Sequence, residues 1–371
     1  MIKVQDSSKK FFFEKTLGLA RKGWGDTHPN PMVGAVIVEE GKSVAEGYHR
    51  KSGGPHAEVE AFKNLGRKPA PGASIFISLE PCSTTGHTPP CVDAIIESGI
   101  KIVYVGTLDP NPVHAGRGLA ILRKAGVTVE MASDDFGKQA SRLNFIFNLN
   151  ITKKRPLLAL KLAESSNGKL SEVAGKTSRV TEAEARLDVM HWRRLFPAIC
   201  VGSGTVLADN PSLTSRQTQG TFCPVRLVLD STLRTLHETV SPRNLYRDAF
   251  TSKTRILTTV TGMDNLKAVK KAQEYGISLV EMGQQENGQI QLSEIPDFLK
   301  KLNLNALYCE GGSRVAKSLL KEGLVDYLFR YESPKIFSGL NALPGPDLGS
   351  FPLREPIEAQ LGEDRIIHGF L

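Results

Sequence analysis

Short apolar runs of strand character alternate with segments of helical periodicity twice along this chain, and a basic break separates the two series. In the first, Ser8–Arg21 has helical spacing, with Phe12, Leu17, Leu19 and Ala20 apolar. Strand-like Val33–Val38 and Val44–Tyr48 follow, then a helix from about Ala57 to Leu65 and a strand Ser74–Ser78. A helix opening near Pro90, a strand Lys101–Val105, a helix Leu119–Lys124, a strand Val127–Met131 and a helix through Phe147 complete the series. Such alternation predicts a largely parallel sheet covered by helices on both faces. Polar and basic residues from Asn150 to Arg155 then precede Pro156. Beyond them come a strand Leu157–Lys161, a long helix Glu182–Leu195, and strands Ala198–Gly202, Pro224–Asp230, Arg255–Val260 and Asn305–Cys309. A last strand, Val325–Glu332, is read as antiparallel. At 371 residues the chain exceeds one ordinary core, so two α/β domains are expected, 1–150 and 151–371.

Composition narrows the class. The net charge is +8, but the positive residues are scattered, and the one dense run is Lys153-Lys154-Arg155. A nucleic-acid binder concentrates such charge on one face or tail. Dispersed charge fits pockets for small phosphorylated ligands better, so no nucleic-acid partner is expected. No apolar stretch is long enough to span a bilayer, so no membrane partner is expected either. Met1 to Lys10 is polar, and Phe11-Phe12-Phe13 is broken at once by Glu14-Lys15, which argues against a signal peptide. Five cysteines are too few for a disulfide framework and suit a reducing cytoplasm. Cys200, Cys223 and Cys309 lie in or beside apolar runs and read as core residues.

The remaining two cysteines carry chemistry. His56-Ala57-Glu58 is followed by Pro81-Cys82 and Cys91. One imidazole and two thiolates are three good zinc ligands, and three rather than four leave a tetrahedral position open for water. Glu58, two residues from His56, is placed to move that water's protons. Gly53-Gly54-Pro55 puts His56 and Glu58 on the first turn of a helix, and Pro89-Pro90 puts Cys91 at the start of the next. A helix N-terminus favours the thiolate that zinc needs. The competing reading is a four-ligand structural zinc with His87 as the fourth donor, which gives Glu58 no task.

His56-Ala57-Glu58 with Pro81-Cys82 resembles the cytidine and nucleotide deaminase superfamily. The eight residues between the cysteines, ending Thr88-Pro89-Pro90-Cys91, resemble more narrowly the bifunctional deaminase-reductases of riboflavin biosynthesis. Asn30–Gly34, Gly47–His49 and Asp109–Pro112 match the deaminase domain of that family in order. The resemblance implies a substrate, 2,5-diamino-6-ribosylamino-4(3H)-pyrimidinone 5′-phosphate. It also implies that Glu58 takes the proton of the attacking water and later protonates the leaving ammonia. Asn30 and His49 are then candidates for base recognition, with Asp109 and Asn111 near the substrate. Thr84 and His87 stand where the family commonly has histidine and arginine.

In the second half, Gly202–Thr205 and Glu310–Ser313 are glycine-rich turns after strands, able to cradle a phosphate, although no Gly-x-Gly-x-x-Gly is present. Their order, with Arg155-Pro156, Lys161–Ala163, Asp209–Leu213 and Arg216, resembles the reductase domain of the same family. The fold implied is α/β throughout: a cytidine-deaminase-like three-layer domain, then a dihydrofolate-reductase-like domain that uses NADPH. By position, Ala163, Arg179, Thr205, Asp209, Gly311, Gly312, Ser313 and Arg314 are candidate cofactor contacts. Thr177, Arg193, Leu213, Arg216 and Glu310 are candidate substrate contacts, the arginines suited to its phosphate. Lys161 is the candidate catalytic side chain, positioning or protonating the opening sugar while hydride reaches C1′. The family pattern Ser-x-Asp-Gly reads Ser165-Ser166-Asn167-Gly168 here, and Arg179 replaces a tryptophan. The resemblance further implies a homo-oligomer, dimer or tetramer, assembled through the reductase domain. A tRNA-editing deaminase, and a zinc-stabilised scaffold with a decayed reductase half, are the alternatives.

Overall fold

The computed structural model describes residues 6–85, 89–218 and 220–371. The chain divides into two compact units between Lys154 and Arg155. The division falls beyond Asn150 because a helix, Phe145–Lys153, continues across that point.

The first unit is built on β1 (Gly34–Glu39), β2 (Lys42–Tyr48), β3 (Ser74–Ile77), β4 (Ile102–Val105) and β5 (Thr128–Met131). Their order in the sheet is β2-β1-β3-β4-β5. β3, β4 and β5 run parallel, while β1 is antiparallel to both its neighbours. The sheet is therefore mixed rather than largely parallel. The helices are α1 (Asp6–Arg21), α2 (Ala57–Leu65), α3 (Cys91–Ser98), α4 (Arg117–Lys124), α5 (Asp134–Leu143) and α6 (Phe145–Lys153).

Strand periodicity sorts the side chains into two layers. Ala35, Ile37, Ile75, Ile77, Val103 and Val105 pack with Ala57, Ala61, Val92, Ile95, Leu119 and Leu122, so α2, α3 and α4 cover one face. Phe76 and Tyr104 point to the opposite face, where Phe12 and Phe13 of α1 meet them and Phe136 of α5 packs on Phe13. Each of these large side chains contributes about 1.5–3 kcal/mol on burial. Gly47 lets α2 approach: a Cβ there would lie 2.2 Å from the Ala57 carbonyl oxygen.

The second unit contains β6 (Leu157–Ser165), β7 (Lys169–Ser171), β8 (Ala198–Gly202), β9 (Ser215–Gln217), β10 (Gly220–Phe222) and β11 (Val225–Leu229). β12 (Thr254–Thr258), β13 (Ser278–Glu281), β14 (Ala306–Cys309), β15 (Tyr327–Ser333), β16 (Leu343–Pro344), β17 (Arg354–Leu361) and β18 (Asp364–Phe370) follow. Nine of these form one sheet, ordered β13-β12-β11-β8-β14-β6-β15-β18-β17. The strand expected at 325–332 to be antiparallel pairs parallel with β6 and antiparallel only with β18. α7 (Ala183–Leu195) and α8 (Ser203–Asp209) flank β8. The parallel strands β6, β8, β11 and β14 end on one side, the rim where open α/β sheets place ligands. Among the described residues no helix is long and apolar enough to cross a membrane.

Candidate active sites

In the first unit His56 is the N-cap of α2 with extended backbone, so its side chain faces out of the helix start while Glu58 lies in the first turn. Cys91 is the first residue of α3, and Cys82 lies on the exit from β3. His56 Nδ1 stands 3.2 Å from Cys91 Sγ and 3.4 Å from Cys82 Sγ. Tetrahedral zinc with ordinary Zn–N and Zn–S bonds separates such donors by about 3.5 Å, so the three fit that ion. They form the one metal-competent cluster among the described residues; His87 lies outside these.

The electrostatics suit metal binding. The hydrogen bond with Cys91, together with His56, holds the Cys82 thiol down at about 4. The same bond and burial push the Cys91 thiol up. The pair shares a proton that a metal displaces. Glu58 is buried, and burial, aided by the Cys82 charge, pushes its carboxyl up to about 7. A carboxyl near neutrality can both accept and return a proton.

Asn30 and His49 come together, but His49 does not offer an open contact. Its ring is 3% exposed, with Nδ1 2.9 Å from the Pro55 carbonyl oxygen and Nε2 3.1 Å from Asn30 Nδ2. With Nδ1 protonated, the Asn30 amide donates to Nε2, and His49 supports Asn30 rather than meeting a ligand. Asp109 and Asn111 sit in the loop before α4, where the Asp109 Oδ1 accepts from the Asn111 N–H at 2.8 Å. Burial raises the Asp109 carboxyl.

In the second unit a cavity of about 830 Å³ opens over the strand ends. Lys161, Ala163, Thr177, Arg179, Thr205, Asp209, Leu213, Glu310 and Gly311–Arg314 all line it. α8 and the helix Ser313–Lys321 both begin at its wall. A Cβ on Gly202 or Gly311 would come within 2.9 Å of Val315, so glycine at both positions lets the helix Ser313–Lys321 seat closely on the strand ends. Two helix starts over a glycine cradle fit a diphosphate-bearing cofactor.

Two arginines and Asn167 stand apart from these. Arg193 lines the cavity, but its guanidinium is engaged within the protein. Its Nε and Nη2 donate to the two Glu310 oxygens at 2.6 and 2.9 Å, and Nη1 donates to the Thr214 carbonyl at 3.0 Å. Arg216, on the two-stranded β9–β10 ribbon, is exposed and outside the cavity lining. Asn167 lies away from the cavity too: its amide donates to the Phe337 carbonyl and accepts from the Phe337 N–H. A carboxylate cannot make the first of these bonds, so the departure from Ser-x-Asp-Gly follows a local turn.

Other lining residues went unnoticed in the sequence. Arg234 reaches Ser203 Oγ at 2.9 Å, and Ser231, Thr232 and Arg186 also line the wall. Arg234 and Arg186 lacked any motif; the Asp230–Ser231 turn after β11 was the available signal. Lys161 sits over the Tyr331 ring at 5.5 Å. Burial lowers its pKa, partly offset by Glu310.

A zinc-competent three-layer domain followed by a mostly parallel nine-stranded sheet with a glycine-lined cavity defines a hydrolytic deaminase joined to a reductase. Residues 6–107 match the model of the cytidine and deoxycytidylate deaminase zinc-binding region, and residues 156–355 that of the RibD C-terminal domain. The riboflavin biosynthesis protein RibD of Aquifex aeolicus is 39% identical over 96% of this chain and 97% of its own. That of Escherichia coli is 36% identical over 91% of each. The solved Acinetobacter baumannii RibD superposes with a TM-score of 0.78 at 28% identity, covering 98% of this chain and 99% of its own. A Thermotoga maritima deaminase/reductase gives 0.76 at 30% identity, covering 98% of each chain. The chain belongs to the RibD family and is a two-domain enzyme of riboflavin biosynthesis, a zinc-binding deaminase followed by a reductase.

Proposed function

We propose that the first unit deaminates 2,5-diamino-6-ribosylamino-4(3H)-pyrimidinone 5′-phosphate. The second then reduces the product to 5-amino-6-(ribitylamino)uracil 5′-phosphate with NADPH. The observation that carries the reading is the convergence of His56, Cys82 and Cys91 beside buried Glu58. Zinc held by those three residues supplies Lewis acidity for water. Glu58 accepts a proton from the water as its oxygen bonds to the ring carbon, then delivers it to the amine as the C–N bond breaks and ammonia leaves. Asn30, braced by His49, orients the ring, and the loop of Asp109 and Asn111 faces the phosphoribosyl side.

In the second unit, NADPH held along the glycine-rich strand ends would supply the hydride that C1′ receives. Lys161 holds the sugar and gives a proton to its ring oxygen as the C1′–O bond breaks, next to the Glu310–Arg193 pair. Gly311–Arg314, Thr205, Asp209, Ala163 and exposed Arg179 line the cofactor's side. Thr177 and Leu213 line the substrate's side. The reading includes a cytoplasmic homo-oligomer, tested by light scattering.

Incubating the purified protein with the diaminopyrimidine nucleotide tests it. Ammonia release without NADPH, and NADPH oxidation when it is added, are expected. No ammonia from a zinc-loaded sample overturns the first assignment; ammonia with no NADPH consumption overturns the second.

A further inference from the structure

Glu80 has no part in the chemistry so far, yet its buried carboxylate organises the loop that leads from β4 to α4. The side chain is 4% exposed. Oε2 accepts from the Asp109 N–H at 3.2 Å and the Gly116 N–H at 2.9 Å, and Oε1 accepts from the Gly118 N–H at 3.0 Å. Its own N–H donates to the Thr107 carbonyl at 2.9 Å. One residue thus ties both ends of the 107–118 segment. It lies two positions before the zinc ligand Cys82 and accepts hydrogen bonds at the start of α4, where a negative charge is favoured.

Within the segment, Asp109 caps Asn111 and the Asn111 Oδ1 accepts from Val113, so the tie to Glu80 sets where both side chains stand. The neighbouring Pro81 carbonyl would lie 2.4 Å from a Cβ on Gly118, so the loop seats against this strand exit without slack. Backbone N–H groups turned inward need an acceptor, and Glu80 supplies it to all three.

We propose that Glu80 is a positioning residue of the deaminase: it fixes the Asp109–Asn111 loop at the distance from the metal ligands at which the substrate's phosphoribosyl group is held. This rests on the deaminase reading. Glu80 touches no reacting atom, so its removal weakens substrate binding and spares the chemical step.

Glu80→Gln in the full chain tests this. The amide keeps one acceptor and turns an NH2 toward backbone N–H donors. The expected result is a deaminase KM raised about ten- to hundredfold, kcat within about threefold, and one zinc per chain. Unchanged reductase activity in the same preparation controls for folding of the second unit. An unchanged KM overturns the proposal, as does a fall in kcat alone. If Glu80→Gln loses zinc, Gly118→Ala decides, because its Cβ meets the Pro81 carbonyl and pushes the loop off the carboxylate while both Glu80 and Cys82 keep their own side chains. A raised KM with zinc retained supports the proposal, and a wild-type KM overturns it. A wild-type enzyme that releases no ammonia refutes instead the deaminase reading.

Discussion

Replacing Glu310 by glutamine separates the reductase site from its electrostatic support. Arg193 and Glu310 each expose 12% of their side chains and share two charge-assisted hydrogen bonds. Burial tends to raise the Glu310 carboxyl, but Arg193 and then Lys161 outweigh it and hold the carboxyl below its usual range. Glu310→Gln removes the charge, keeps one acceptor and leaves Arg193 a buried cation beside Lys161. Breaking a buried pair from one side costs about 3–5 kcal/mol, and the retained acceptor places this case near 3. For a domain of this size each kcal/mol moves the melting midpoint by about 2–4 °C, so a fall of about 6–12 °C is expected.

A kinetic consequence accompanies it. Burial already lowers the Lys161 pKa, and Glu310 is the largest influence opposing that. Without Glu310 the ammonium deprotonates at lower pH, so the alkaline limb of the reductase pH–kcat profile moves down. The assay supplies the deaminated intermediate with NADPH, while ammonia release reports the untouched deaminase. A midpoint within about 2 °C of wild type, together with an unmoved alkaline limb, refutes the reasoning.

Glu58→Gln retains about one zinc per chain by metal analysis but lowers ammonia release about 10²–10⁴-fold, because an amide cannot shuttle protons. Chelating the zinc abolishes ammonia release and leaves NADPH oxidation with the deaminated intermediate intact, since no metal-competent cluster lies in the second unit's described residues. Asp248 pairs with Arg226, whose side chain is fully buried, at 2.6 Å. Burial raises the Asp248 carboxyl, but Arg226's hydrogen bonds and charge outweigh it and set it below its usual range. The folded pKa is thus the lower one, so the stabilisation is complete above about pH 4 and is lost as pH falls through the folded value. Asp248→Asn therefore destabilises by about 3 kcal/mol at neutral pH in denaturant melts, and its deficit narrows below pH 4.

What the sequence made legible, and what it hid, follows from the range of the interactions involved. The zinc ligands were readable because each sits at an element end announced by local residues: Gly53-Gly54-Pro55 before His56, Pro89-Pro90 before Cys91. The buried strands β1, β3, β4, β8 and β14 were equally plain, because full burial on both faces demands continuous apolar runs. β17 escaped notice because it is an edge strand, exposed at six of its eight positions, and its residues need not alternate. The direction of β15 was misjudged because pairing depends on a partner 168 positions earlier: Tyr331 meets Ala163 in register.

The same distinction explains the charged residues. Arg193 looked like a phosphate ligand because an arginine's donors are visible in sequence while their occupants are not. Glu310, 117 positions away, uses two of them. Glu80 shows the converse. As one residue of Leu79-Glu80-Pro81-Cys82 it carried no signal of its own, since its three donors come from a loop 29 to 38 positions later. A motif therefore identifies which groups do chemistry, while the groups that aim them are found only where folding has brought distant backbone to a buried charge.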